Sequence, residues 1–86
     1  MHLGNDVVVR KSEIVGVFDL DNTSQSALTR RYLAAAEKSG AVVNAAGSDL
    51  PKSFVVCVRD GRQTVYLSQL NSSTLLRRSE SAGLIV

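Results

Sequence analysis

Apolar residues fall into short clusters along the chain, separated by turn-forming residues. Val7-Val8-Val9 stands between Gly4-Asn5-Asp6 and Arg10-Lys11-Ser12, and consecutive β-branched residues between turn signals predict a short strand. Glu13–Leu20 (EIVGVFDL) predicts a second strand. Ile14, Val15, Val17 and Phe18 give it apolar groups on both faces, which points to a central position in a sheet. Gly16 in its middle marks a bulge or a close backbone approach.

Asp21-Asn22-Thr23-Ser24 then offers several side-chain oxygens that can cap a helix running to about Ser39. Leu28, Tyr32, Ala35 and Ala36 fall on one side of that helix, and Gly40 is placed to end it in a left-handed conformation. Ala41–Asn44 predicts a third strand, 45–52 a loop holding the single proline Pro51, and Ser53–Arg59 a fourth strand. Asp60-Gly61 predicts a hairpin turn into a fifth strand, Arg62–Ser68. Asn71, Ser72 or Ser73 can cap a last short helix through Arg78, and the tail Gly83-Leu84-Ile85-Val86 is apolar.

The order β-β-α-β-β-β-α predicts one α+β domain over residues 1–86: a small mixed or antiparallel sheet of about five strands with two helices, packed on one face. A chain of 86 residues buries only about 60% of its unfolded surface, so its core is thin. Short strands over a thin core leave an open edge, and a second copy of the chain is a natural cover; a covered monomer is the plainer alternative.

Composition adds that the chain is globular: 44% hydrophobic and 21% charged residues exclude intrinsic disorder. No run approaches a membrane span, and Met1–Arg10 lacks a signal-peptide pattern. One cysteine, Cys57, excludes an internal disulfide framework, so the expected compartment is the cytoplasm. Charge is uneven. Bases and acids balance in residues 1–43, whereas residues 44–86 carry Lys52, Arg59, Arg62, Arg77 and Arg78 against Asp49, Asp60 and Glu80, which accounts for the net +2.

The segment Phe18-Asp19-Leu20-Asp21-Asn22-Thr23 resembles the first motif of the haloacid-dehalogenase-like phosphatases. Under that resemblance Asp19 is the nucleophile and Asp21 the acid/base, with Mg²⁺ neutralising the phosphate. The later acids Glu37, Asp49, Asp60 and Glu80 stand apart, and too few residues follow for the parallel sheet that chemistry requires. The alternative is that this segment ends a strand and caps a helix. His2 and Cys57, single copies of their types, provide no metal-ligand spacing; a Cys–His nucleophilic pair is the remote alternative to a buried thiol. No cofactor, metal or small-molecule substrate is expected. Arg30-Arg31 and Arg77-Arg78 are the basic clusters, suited either to phosphate contact or to a solvated helix face.

Taken together, His2-Leu3-Gly4, Ile14–Asp19, Pro51–Val56 and Ser72–Arg78 resemble the bacterial extracellular-matrix regulatory proteins, in the RemB-like branch, over nearly the whole chain. The resemblance implies a small cytoplasmic, non-enzymatic regulator of biofilm-matrix gene expression. It also implies relationship to a RemA branch that assembles into rings and contacts DNA through repeated basic residues. That branch is basic just before the second strand and in the loop before the fourth; here those places read Glu13 and Asp49-Leu50-Pro51-Lys52. The candidate nucleic-acid-binding residues are accordingly Arg30, Arg31, Lys52, Arg77 and Arg78, on a homo-oligomer that takes duplex DNA as partner and no membrane. The competing expectation is an oligomeric scaffold or partner-binding regulator without nucleic-acid contact.

Overall fold

The architecture grows from one hairpin. Asp60 and Gly61 both adopt positive φ (52° and 77°), the conformation that matches a two-residue turn to the twist of its strands. This turn sets β5 (Ser53–Arg59) against β6 (Arg62–Ser68) in an unbroken antiparallel register from Arg59↔Arg62 to Ser53↔Ser68. The fold around it comes from a computed structural model, which describes residues 1–20 and 27–83, with side chains to residue 78. β3 (Ile14–Asp19) pairs antiparallel with β5, and β4 (Val42–Asn44) pairs parallel with β6. The result is a mixed four-stranded sheet of order β3-β5-β6-β4.

A separate two-stranded hairpin, β1 (His2–Gly4) and β2 (Val7–Val8), precedes the sheet, followed by a 3₁₀ turn at Lys11–Glu13. Asn5 and Asp6 form its turn at φ 44° and 62°, left-handed values that these residue types tolerate. The expected first strand at Val7–Val9 is thus half of a hairpin. Its partner was concealed because His2-Leu3-Gly4 contains a single large apolar residue. Among the described residues the strands number six, divided between two sheets.

Alternation along β5 divides the interior in two, because successive side chains point to opposite faces. Val55 and Cys57 join Leu3 and Val9 of the N-terminal hairpin segment and Leu75 of α2 (Ser72–Gly83) in one buried cluster. Phe54 and Val56 join Val65 in the other, against Tyr32, Leu33 and Ala36 of α1 (Ala27–Lys38). The helices therefore lie on opposite faces of the sheet, a correction to the expectation of one shared face. β5 is buried almost end to end, as a strand covered on both sides should be.

β3 is also corrected, from central strand to sheet edge. Its two-sided apolar pattern has a different cause: Ile14 and Val17 pack on the α2 side, while Phe18 stacks on Phe54 on the other, with ring centroids 4.9 Å apart. The register shifts between Ile14 and Gly16, as the glycine implied. A Cβ on Gly16 would come within 2.8 Å of the Phe18 ring, so the bulge and the close approach are one feature.

The expected capping segment Asp21–Ser24 and the tail residues Leu84–Val86 lie outside the described residues. At the other end of α1, Gly40 (φ 76°) donates its N–H to the Glu37 carbonyl and Ala41 donates to that of Ala36, closing the helix as expected. The packed stripe is Thr29, Tyr32, Leu33 and Ala36; Leu28 and Ala35, expected inward, are exposed. Asn71 caps α2, its Oδ1 accepting the Thr74 N–H at 2.8 Å. Two buried serines paired across β5 and β6 fasten the hairpin to its surroundings: Ser53 donates to the Leu70 carbonyl at 2.6 Å and Ser68 to that of Leu3 at 2.7 Å.

Leu75 is fully buried, whereas its neighbour Leu76 is 46% exposed. Leu75→Ala should cost about 3 kcal/mol in urea unfolding and Leu76→Ala less than about 1 kcal/mol. Equal costs would contradict the placement of α2.

Candidate nucleic-acid interface

The helix geometry decides where the basic side chains stand. Arg30 and Arg31 follow Thr29 and precede Tyr32 on α1, whose packed stripe takes Thr29, Tyr32 and Leu33, so both arginines are exposed. Arg77 and Arg78 follow the buried Leu75 on α2 and are also exposed, with Arg78 Nη1 donating to the His2 carbonyl at 3.2 Å. Because the helices cover opposite faces of the sheet, the two arginine pairs are not brought together within one protomer.

Lys52 occupies a third location. Its N–H donates to the Ser68 carbonyl and its carbonyl accepts from the Leu20 N–H, which places it at the start of β5. The exposed side chain borders a shallow depression with Asp49, Leu50 and Gln69, where the buried Gln69 Oε1 has no hydrogen-bond partner among the described residues. Glu13, the other position of interest, lies at the far end of β5, about 20 Å away for a seven-residue strand. Its carboxylate meets Arg59 Nε at 3.6 Å.

Three further cations, not among the sequence-derived candidates, come together at the turn end of the sheet. Arg59 and Arg62 face each other across the hairpin register, and Arg10 lines the same cleft as Arg59 and Glu13. The signal was present: once Asp60-Gly61 is a two-residue turn, its flanking residues must pair. The opposite kind of surface lies between β3 and α1, a groove of about 320 Å³ lined by Val15, Phe18, Leu28, Tyr32, Phe54 and Val56. Val15 and Leu28 on its rim are 66% and 75% exposed, so this edge of the sheet is apolar, and among the described residues no fifth strand pairs with it.

The residues raised as catalytic candidates fall in different settings. Asp19 ends the edge strand β3, in register with Ser53 across an antiparallel pairing; Asp21 lies outside the described residues. Among the described residues no three His, Cys, Asp or Glu side chains gather as metal ligands would. His2 is exposed and Cys57 buried. Burial raises the Cys57 thiol pKa, and the Glu13 carboxylate raises it further, against a smaller opposing effect of the N-terminal amine. A raised pKa leaves less thiolate at neutral pH, so alkylation by iodoacetamide at pH 7.5 should be at least about tenfold slower in the native protein than in guanidinium. Equal rates would show an accessible, reactive thiol.

Among the described residues no helix is long and apolar enough to cross a membrane. The RemA-like family, described as extracellular matrix regulatory protein A-like, matches residues 1–78, from the N-terminal hairpin into α2. Extracellular matrix regulatory protein B of Bacillus subtilis (strain 168) is 39% identical over 80 residues, covering 93% of this chain and 89% of that protein. The match thus takes in both faces of the sheet and all five candidate basic residues. The chain belongs to the RemA-like family of extracellular matrix regulatory proteins.

Proposed function

We propose that the protein is a cytoplasmic regulator of extracellular-matrix and biofilm gene expression that works as a homo-oligomer, without catalysis, on the backbone of duplex DNA. Arg30, Arg31, Lys52, Arg77 and Arg78 are the phosphate contacts of this reading. The observation that carries it is the division of these residues between two faces and one end of the sheet, all of them exposed. One protomer laid on DNA engages one pair of arginines, with Lys52 at most beside it. Repetition of the protomer along the duplex multiplies that small contribution, since linked weak contacts reinforce one another through effective concentration. The apolar β3 edge and the short β4 edge supply surfaces on which copies can meet.

A second reading, an oligomeric scaffold that binds a protein partner and no nucleic acid, is favoured by the carboxylates at the two places where the RemA branch is basic. Glu13 pairs with Arg59, and Asp49 stands beside Lys52. Salt dependence separates the readings. Two or three phosphate contacts give a slope of log affinity against log salt of about −2 to −3, and an assembly must exceed that. Fluorescence anisotropy with a generic duplex should give a slope steeper than about −3 for the native protein. The double variant Arg30→Ala/Arg31→Ala should flatten the slope and weaken binding at least about tenfold with unchanged particle mass. Absent binding at low salt would favour the scaffold.

A further inference from the structure

The end of the sheet at the Asp60-Gly61 turn carries cations that the proposed DNA contacts do not use. Arg59 stands opposite Arg62 in the hairpin register, and two like charges held in that relation repel. Glu13 answers Arg59 at 3.6 Å. The side chains of Arg62 and Arg10 make no ion pair among the described residues. The cleft shared by these groups therefore has more guanidinium than carboxylate around it, even with Asp60 at its mouth.

The cleft comprises two depressions that share Arg59 and Thr64 in their linings. The more open one, the mouth, is about 500 Å³ and is bounded by Arg59, Asp60, Arg62 and Thr64. The more enclosed one, the chamber, is about 220 Å³ and is also lined by Val9, Cys57 and Tyr66. Arg10 and Glu13 form its wall. Alternation along β6 puts Arg62, Thr64 and Tyr66 on one face, so a guanidinium, a hydroxyl and a phenol follow one another along the strand, the first two lining the mouth and the last two the chamber. The Tyr66 hydroxyl makes no hydrogen bond among the described residues, and burial raises its pKa, so it stays a donor.

Guanidinium forks with a nearby hydroxyl match the oxygens of a phosphoryl group. The floor offers apolar and aromatic surface, and the Glu13 carboxylate accepts from an N–H or O–H. A duplex is too wide to enter the chamber. The geometry points to this cleft as the binding site of a small organic phosphate, with its phosphoryl group between Arg59 and Arg62 and its uncharged body over Tyr66 and Cys57. Thr64 donates to the phosphoryl oxygens, and Glu13 takes a donor from the body. The ligand is bound and not converted. The site is separate from Arg30, Arg31, Lys52, Arg77 and Arg78, so it holds whether or not those residues touch DNA.

Adenosine monophosphate and inorganic phosphate serve as probes in a ¹⁵N NMR titration of the full chain. Saturable shifts should centre on residues 10, 13, 59–66, with the nucleotide bound at least about tenfold more tightly than phosphate because only it reaches the chamber. Arg62→Ala should weaken the nucleotide about tenfold, the worth of one charged hydrogen-bonding group. Thr64→Val, which keeps the strand's β-branched shape, should weaken it by a smaller factor. Both variants should leave duplex affinity within about twofold, because their side chains lie away from the proposed DNA contacts. Absence of saturable shifts, a nucleotide no tighter than phosphate, or nucleotide binding unaffected by both variants would overturn the site. If Arg62→Ala failed to fold, Thr64→Val alone would decide.

Discussion

Everything in this molecule is organised by the burial of β5 on both of its faces. A strand with Val55 and Cys57 on one side and Phe54 and Val56 on the other needs two covers, and a chain of 86 residues has few residues to make them. One cover is α1. The other is shared between α2 and the N-terminal hairpin, with Leu3 and Leu75 both fully buried against the sheet. Two small cores replace the single core that one-sided packing would have made. The paired serines at the open end of the hairpin show how tightly the second cover is attached, since the buried hydroxyl of Ser68 reaches back to the carbonyl of Leu3. A buried hydroxyl satisfied in this way fixes position as well as energy, because leaving either partner unpaired costs about 1–3 kcal/mol.

The same constraint sets the distribution of charge. Helices on opposite faces carry their exposed arginines away from one another, and a central hairpin of seven-residue strands separates Lys52 from the Arg59–Arg62 end. Among the described residues no strand closes the sheet's edges, so β3 presents Val15 and Phe18 beside an apolar groove. Membership in the RemA-like family and this layout are consistent in physical terms. A net charge of +2 divided over several surfaces is a weak electrostatic signal for one chain and a substantial one for an assembly.

Local features of the fold were legible in the sequence where a single residue type decides the geometry. Asp60-Gly61, Gly40 and Asn71 each act within a few residues, and the turn, the helix end and the cap lie where these residues imply. Gly16 likewise announced the bulge in β3. What escaped depended on long-range packing. An apolar pattern on both faces is the same for a central strand and for an edge strand flanked by cover on two sides, so β3 was misplaced. The side of the sheet taken by each helix is decided by which residues of β5 it meets, information absent from either helix alone. For the candidate site, exposure of the five basic residues followed from helix periodicity and loop position, but their separation did not. The Arg10, Arg59 and Arg62 cluster combines a hairpin register with a segment that precedes it by some fifty residues, and only the fold joins them.

Under the proposed function, one protomer is an insufficient DNA-binding unit and repetition makes it sufficient. Sedimentation velocity of the protein with a fluorescently labelled duplex, across a dilution series at fixed low salt, tests it most directly. The duplex should sediment with a particle of several protomers and be released as dilution breaks that particle apart. A duplex carried by single protomers with undiminished affinity would contradict it.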